Sequence, residues 1–117
     1  MPRYEDIPVF LKALPAIDIP IPGATGTMLQ GAGQQVVFVE FDETVEVPEH
    51  SHQEQWEFVV TGKVELRIGG ETIVHTTGDN FFVPADMPHG ATVHAGYKAL
   101  IVFNAPDRYL PRDQESL

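Results

Sequence analysis

The chain carries five histidines, His50, His52, His75, His89 and His94, and no cysteine. Disulfide bridges, thiolate metal sites and cysteine nucleophiles are therefore excluded, which leaves imidazole, carboxylate, amide and hydroxyl groups for any chemistry. The informative spacing is His50-Ser51-His52. Residues two apart on an extended chain point to the same face, so both rings can reach one point. His89 follows Pro84-Ala85-Asp86-Met87-Pro88 at the mouth of a later extended stretch. Brought together, three neutral imidazoles and one oxygen donor would bind a divalent metal. An isolated His-x-His pair is more often two solvent-facing residues at a strand end, so the fold has to deliver the third ring.

The oxygen donor stays open among Gln55, Glu54 and Glu57. Strand alternation puts Gln55, Glu57 and Val59 on one face and Trp56 and Phe58 on the other; Glu54 faces inward only if the strand starts one residue earlier. An inward Glu57 would suit general acid or base catalysis, its pKa set by metal charge against burial. An outward Glu57 would be an ordinary solvated side chain. A neutral amide ligand would leave the metal its full divalent charge and strengthen its pull on an anionic substrate.

Such residues need a rigid frame. Ten glycines and ten prolines spread over 117 residues argue against long helices. Ile7 to Leu14 is the one candidate for a short helix or arm, with Ile7, Phe10, Leu11 and Leu14 at helical spacing between Pro8 and Pro15. Ile17 to Pro22 reads as extended edge chain. Strand signals then follow in Gly26 to Leu29, Gln35 to Phe41, Thr44 to Val47, Trp56 to Val60, Lys63 to Ile68, Glu71 to Thr76, Asn80 to Val83, Gly90 to His94 and Lys98 to Phe103. Gly69-Gly70 supplies a two-residue hairpin turn. Turn signals about every ten residues predict a single all-β sandwich or barrel. Residues 1–25 form an arm, 26–106 the barrel and 107–117 a polar tail in this reading.

The two histidine segments resemble the motifs of the cupin superfamily. The first reads His50-Ser51-His52, then Gln55, with Gly62 seven places on; the second runs from Gly78 through Pro84 to His89. The usual glycine before the histidine pair is Thr44, one residue is missing before Gln55, Asp86 stands for a glycine, and Val93 for a closing asparagine. The resemblance spans about residues 35 to 103. It implies a double-stranded β-helix, or jelly-roll barrel, holding one divalent transition metal (Fe, Ni, Mn, Zn or Cu) on His50, His52, Gln55 and His89. The Asp86 replacement implies a different turn. A metal-dependent enzyme acting on a small polar or anionic metabolite follows, of dioxygenase, isomerase, decarboxylase or lyase type. The alternative is a non-catalytic module that binds or senses a small ligand.

The remaining residues read as structure. Phe38, Phe41, Phe81 and Phe82 are expected in the core or pocket wall, and Trp56 against the arm or a partner subunit. His75 and His94 lack partner motifs, Asp79 caps a turn, and Tyr97 and Lys98 carry no functional signal. Seven Lys plus Arg against seventeen Asp plus Glu give a net charge of −10, which disfavours nucleic-acid and membrane-surface binding. No apolar run approaches the roughly 20 residues of a membrane span, and the first residues do not read as a secretion signal, so a cytoplasmic domain is expected. The apolar arm from Tyr4 to Ile21, with no obvious partner in its own chain, and an apolar outer sheet face predict a homodimer.

Overall fold

The computed structural model describes residues 4–112. One helical turn, α1 (Val9–Lys12), precedes nine strands: β1 (Ala24–Gln30), β2 (Gln35–Phe41), β3 (Val45–His50), β4 (Gln55–Thr61), β5 (Lys63–Ile68), β6 (Glu71–Thr76), β7 (Asn80–Val83), β8 (His89–Val93) and β9 (Lys98–Phe103). They form a five-stranded sheet in the order β1-β2-β9-β4-β7 and a four-stranded sheet in the order β3-β8-β5-β6. The pairings are antiparallel throughout. This is the jelly-roll sandwich that the strand spacing predicts, with the two sheets hydrogen-bonded separately and packed face to face.

Alternation decides which side chains fill the space between them. Val37, Val39 and Phe41 of β2, Ala99, Ile101 and Phe103 of β9, and Val59 of β4 face Val64 of β5 and Val93 of β8 in one buried cluster. Each valine, isoleucine or phenylalanine among them contributes about 1.5–3 kcal/mol when fully buried. The opposite faces of the same strands place Leu29, Val36, Val102, Trp56 and Phe82 side by side across the outer surface of the large sheet. Phe82 is thus 54% exposed rather than part of the core, because Phe81 takes the inward position. Trp56 stacks on Phe58 on this outer surface and donates to Asn80 Oδ1, away from the arm.

The arm does have a partner in its own chain. Ile7 and Ile17 are each 2% exposed. Ala16 bridges to Thr27, Thr27 Oγ1 donates to the Leu11 carbonyl, and Lys98 Nζ lies 2.8 Å from Asp6 Oδ1. The helix is shorter than its periodicity suggests. Pro8 caps it with ψ 146°, an extended backbone that takes Ile7 out of helical register and leaves Phe10 in solvent. The other end of the chain also folds back. Ile17 bridges to Pro111, and the Arg112 amide donates to the Ala16 carbonyl. Residues 107–112, expected within a polar tail, therefore cross the end of the sandwich where β9 finishes; 113–117 lie outside the described residues.

Candidate metal centre

β3 and β8 of the small sheet present two of the histidines. Their pairing shifts register between Val47 and His50, and beyond the shift His50 lies opposite His89. Gly90 makes this possible: a Cβ there would sit 2.9 Å from the Val47 carbonyl oxygen, closer than any side chain tolerates. β3 thus runs past Pro48, which at a bulge need not donate to the ladder. His52 follows on the connection to β4, and its carbonyl accepts the Asp86 amide at 2.9 Å. Asp86 has φ 62°, the left-handed backbone that glycine takes without strain, so aspartate keeps a glycine-like turn here instead of imposing a different one.

The result is a cluster of three rings. Centroids of His50 and His89 are 4.4 Å apart, His52 and His89 4.9 Å, and His50 and His52 5.1 Å. One ring nitrogen from each lies within 4.8 Å of the other two. In every ring Nδ1 faces a backbone carbonyl: Pro48 at 2.9 Å from His50, Gln53 at 2.6 Å from His52 and Met87 at 2.8 Å from His89. A carbonyl oxygen only accepts, so Nδ1 carries the hydrogen in each neutral ring and the Nε2 lone pair is free. This outer shell is the one that metal-binding imidazoles require. Burial, with the positive charge of Arg108 and the neighbouring rings adding to it, brings His52 down to about 4 and lowers His89 as well. Those two rings are consequently neutral at ordinary pH, the form that coordinates.

The large sheet supplies the facing wall. Gln55 and Glu57, both buried, line the same pocket as the three histidines. Gln55 Nε2 donates to Glu57 Oε1 at 3.0 Å, and the Tyr97 hydroxyl donates to Glu57 Oε2 at 2.5 Å. The first bond commits the amide nitrogen of Gln55 and leaves its oxygen as the free acceptor. Burial raises the Glu57 carboxyl to about 7 against the two hydrogen bonds, which pull it down. Burial and the neighbouring Glu57 charge push the Tyr97 hydroxyl well above its usual range. Glu54 turns elsewhere, its Oε1 accepting from Asn104 Nδ2 at 3.2 Å.

His75 stacks on Phe81, and His94 pairs with Glu65 at 2.5 Å; neither belongs to the three-ring cluster. Two further pocket residues carry no functional signal in the sequence. Tyr97 shares parity with Ala99, Ile101 and Phe103, so its inward direction is readable from alternation. Gly62 lets it approach: a Cβ there would meet the Tyr97 Cα at 2.8 Å. Arg108 sits in the stretch expected to be a tail, although the adjacent Tyr109 and Leu110 already signal packing. The cavity lined by both walls measures about 110 Å³.

Comparison with known proteins agrees with this architecture. The family model described as the cupin domain matches residues 30–104, well over half of the sequence, and the chain belongs to that family. An RmlC-like cupin from Shewanella frigidimarina NCIMB 400 superposes with a TM-score of 0.69 at 28% identity, covering 88% of this chain and 89% of that one. KdgF from Halomonas sp. does so with a TM-score of 0.67 at 26% identity, covering 79% and 88%. Ectoine synthase from P. lautus, at 20% identity and a TM-score of 0.65 over 76% and 69% of the two chains, shares the fold. No curated protein matches the sequence. Among the described residues no helix is long and apolar enough to cross a membrane.

Proposed function

We propose that the chain is a metal-dependent enzyme acting on a small polar or anionic metabolite, of the dioxygenase, isomerase, decarboxylase or lyase type. The observation that carries this reading is the set of three imidazoles whose Nδ1 atoms all face backbone carbonyls. His50, His52 and His89, with the free amide oxygen of Gln55, would hold one divalent transition metal; Fe, Ni, Mn, Zn and Cu all suit that donor set. The metal would supply Lewis acidity toward a substrate oxygen. Glu57, poised near neutrality beside Gln55, gives or takes a proton at its carboxyl oxygens, and Tyr97 holds that carboxyl in place. Val47, Leu66, Ala91 and Ile101 line the cavity with carbon and limit water.

The test is metal analysis of tag-free protein by plasma emission, followed by turnover assays on small hydroxy and keto acids with O₂ uptake recorded. Bound metal with turnover of one compound supports the enzyme. Bound metal with saturable ligand-induced stabilisation and no turnover replaces it by the sensing module. A metal-free protein in metal-supplemented buffer refutes the metal-dependent enzyme.

The chain is also read as a homodimer. The outer row Leu29, Val36, Val102, Trp56 and Phe82 spans all five strands of the large sheet without a charge. A second copy of the same acidic chain would meet least repulsion there. Light scattering that returns the monomer mass of 12.9 kDa would refute it.

A further inference from the structure

Arg108, from the segment that follows β9, lines the pocket together with Tyr109. Its guanidinium lies 4.7 Å from the Tyr109 ring centroid and 5.6 Å from that of Phe103. Cation–π contacts of this kind hold the group in place without using its N–H donors. Yet Arg108 Nε is buried and has no hydrogen-bond partner. Among the described residues no carboxylate comes within ion-pair range of this side chain. The side chain as a whole is half-buried, but this enclosed nitrogen lacks an acceptor, a cost that a bound ligand or a water would relieve.

The placement says what kind of ligand. His52 stacks edge-on against Phe103 with centroids 5.5 Å apart, so the imidazole and the guanidinium border the same aromatic ring. The charge of Arg108 is felt at both His52 and His89. Inside a chain of net charge −10, this pocket gathers three imidazoles and an arginine around one buried carboxyl group. With those rings neutral, the charge of Arg108 is what favours an anion there, while the surface charge does not. A cavity of about 110 Å³ holds several water molecules' worth of volume, the scale of a small organic acid.

We infer that Arg108 is the carboxylate-binding residue of this site, gripping the acid group of a small organic acid side-on through Nε and one Nη while the rest of the molecule extends toward the histidine cluster. The inference rests on the proposed function for the location of the reacting end, and it narrows the substrate class to carboxylic acids. Arg108 itself touches the carboxylate and leaves proton transfer to Glu57. Lysine could supply the charge but not the planar two-donor fork.

The experiment compares wild-type protein with R108M, which keeps a stem to pack on the rings, and with R108K. Three matched probe pairs are titrated by calorimetry into metal-supplemented protein: lactate and lactamide, pyruvate and pyruvamide, benzoate and benzamide. Metal content and thermal midpoint are recorded for every variant. At least one acid should bind wild type about tenfold more tightly than its amide. R108M should abolish that preference, and R108K should recover part of it, with metal content and midpoint unchanged. The inference is overturned if no acid is preferred over its amide, or if R108M retains the preference. Metal content separates the two claims: a wild-type protein without metal defeats the metal reading, whereas metal bound with an indifferent R108M defeats only the role of Arg108.

Discussion

The two walls of the pocket are held in opposite ways. On the small-sheet side each imidazole is fixed by a carbonyl one or two residues away in sequence, and His50 and His52 remain half-exposed. On the large-sheet side Glu57 is buried, and its hydroxyl donor, Tyr97, is 40 residues distant. Local backbone bonds orient a ring with almost no help from the rest of the fold. A buried carboxyl depends on the fold entirely, since only the packed sandwich brings its donors and removes its water. In the proposed reading, the three imidazoles and the proton-transferring carboxyl therefore stand on different walls, with Gln55 as the ligand that the second wall contributes.

Substitutions on either wall put that contrast to the test. The largest effect is expected from His52→Ala, and equally from His50→Ala or His89→Ala. Removing one of three rings should take metal content from about one per chain to background by plasma emission, with an intact β-sheet dichroism spectrum. Retained stoichiometric metal would show that the imidazole wall is not the binding wall.

Tyr97→Phe should touch only the other wall. It leaves the buried Glu57 carboxyl with Gln55 alone among its two hydrogen-bond donors, which should cost about 1–3 kcal/mol in urea denaturation while metal content stays constant. The carboxyl should also become harder to ionise, because the lost hydrogen bond was lowering it.

A smaller effect separates the walls by pH in the metal-free protein. Glu57 is raised from 4.5 to about 7 on folding, so its contribution to stability is complete below 4.5 and is lost as pH climbs through 7. His52 is lowered from 6.5 to about 4, so the unfolded chain binds the extra proton and the contribution of His52 grows with pH over that interval. The two slopes oppose each other. E57Q removes only the falling one, so its thermal midpoint should rise more steeply than that of wild type between about pH 5 and about pH 7. Parallel profiles for the two proteins would refute the burial of an ionisable carboxyl.

Trp56→Lys is the mildest. It changes the outer face of the strand whose inner face carries Gln55 and Glu57. Monomer stability should move by no more than about 0.5 kcal/mol, and metal uptake not at all, while light scattering should report the mass of a single chain. An altered metal content would mean that the two faces of β4 are coupled.

Much of the architecture is legible in the residues alone. The β-branched and aromatic run Gln35–Phe41, the alternation of Lys63–Ile68 and the apolar run Lys98–Phe103 predict strands that the fold reproduces residue for residue. Period-2 patterning is a local property, because a one-residue slip would turn every core side chain outward. The spacing of His50 and His52 likewise predicts two rings on one face. Phe82 misleads because two adjacent phenylalanines cannot both face inward on a strand, and neither residue says which one does. Arg108 misleads because an arginine beside Asp107, past the last strand, looks solvated until the chain is seen to turn back.

Residue type and near-neighbour spacing suffice for the strands and for the identity of the groups able to hold a cation. Neither reaches the contacts that assemble the pocket. His89 joins His50 across a bulge, Tyr97 reaches Glu57, and Arg108 lines the same cavity, each by joining stretches of chain far apart in sequence. Sheet register and the path of the chain ends settle those meetings, and no local pattern encodes either.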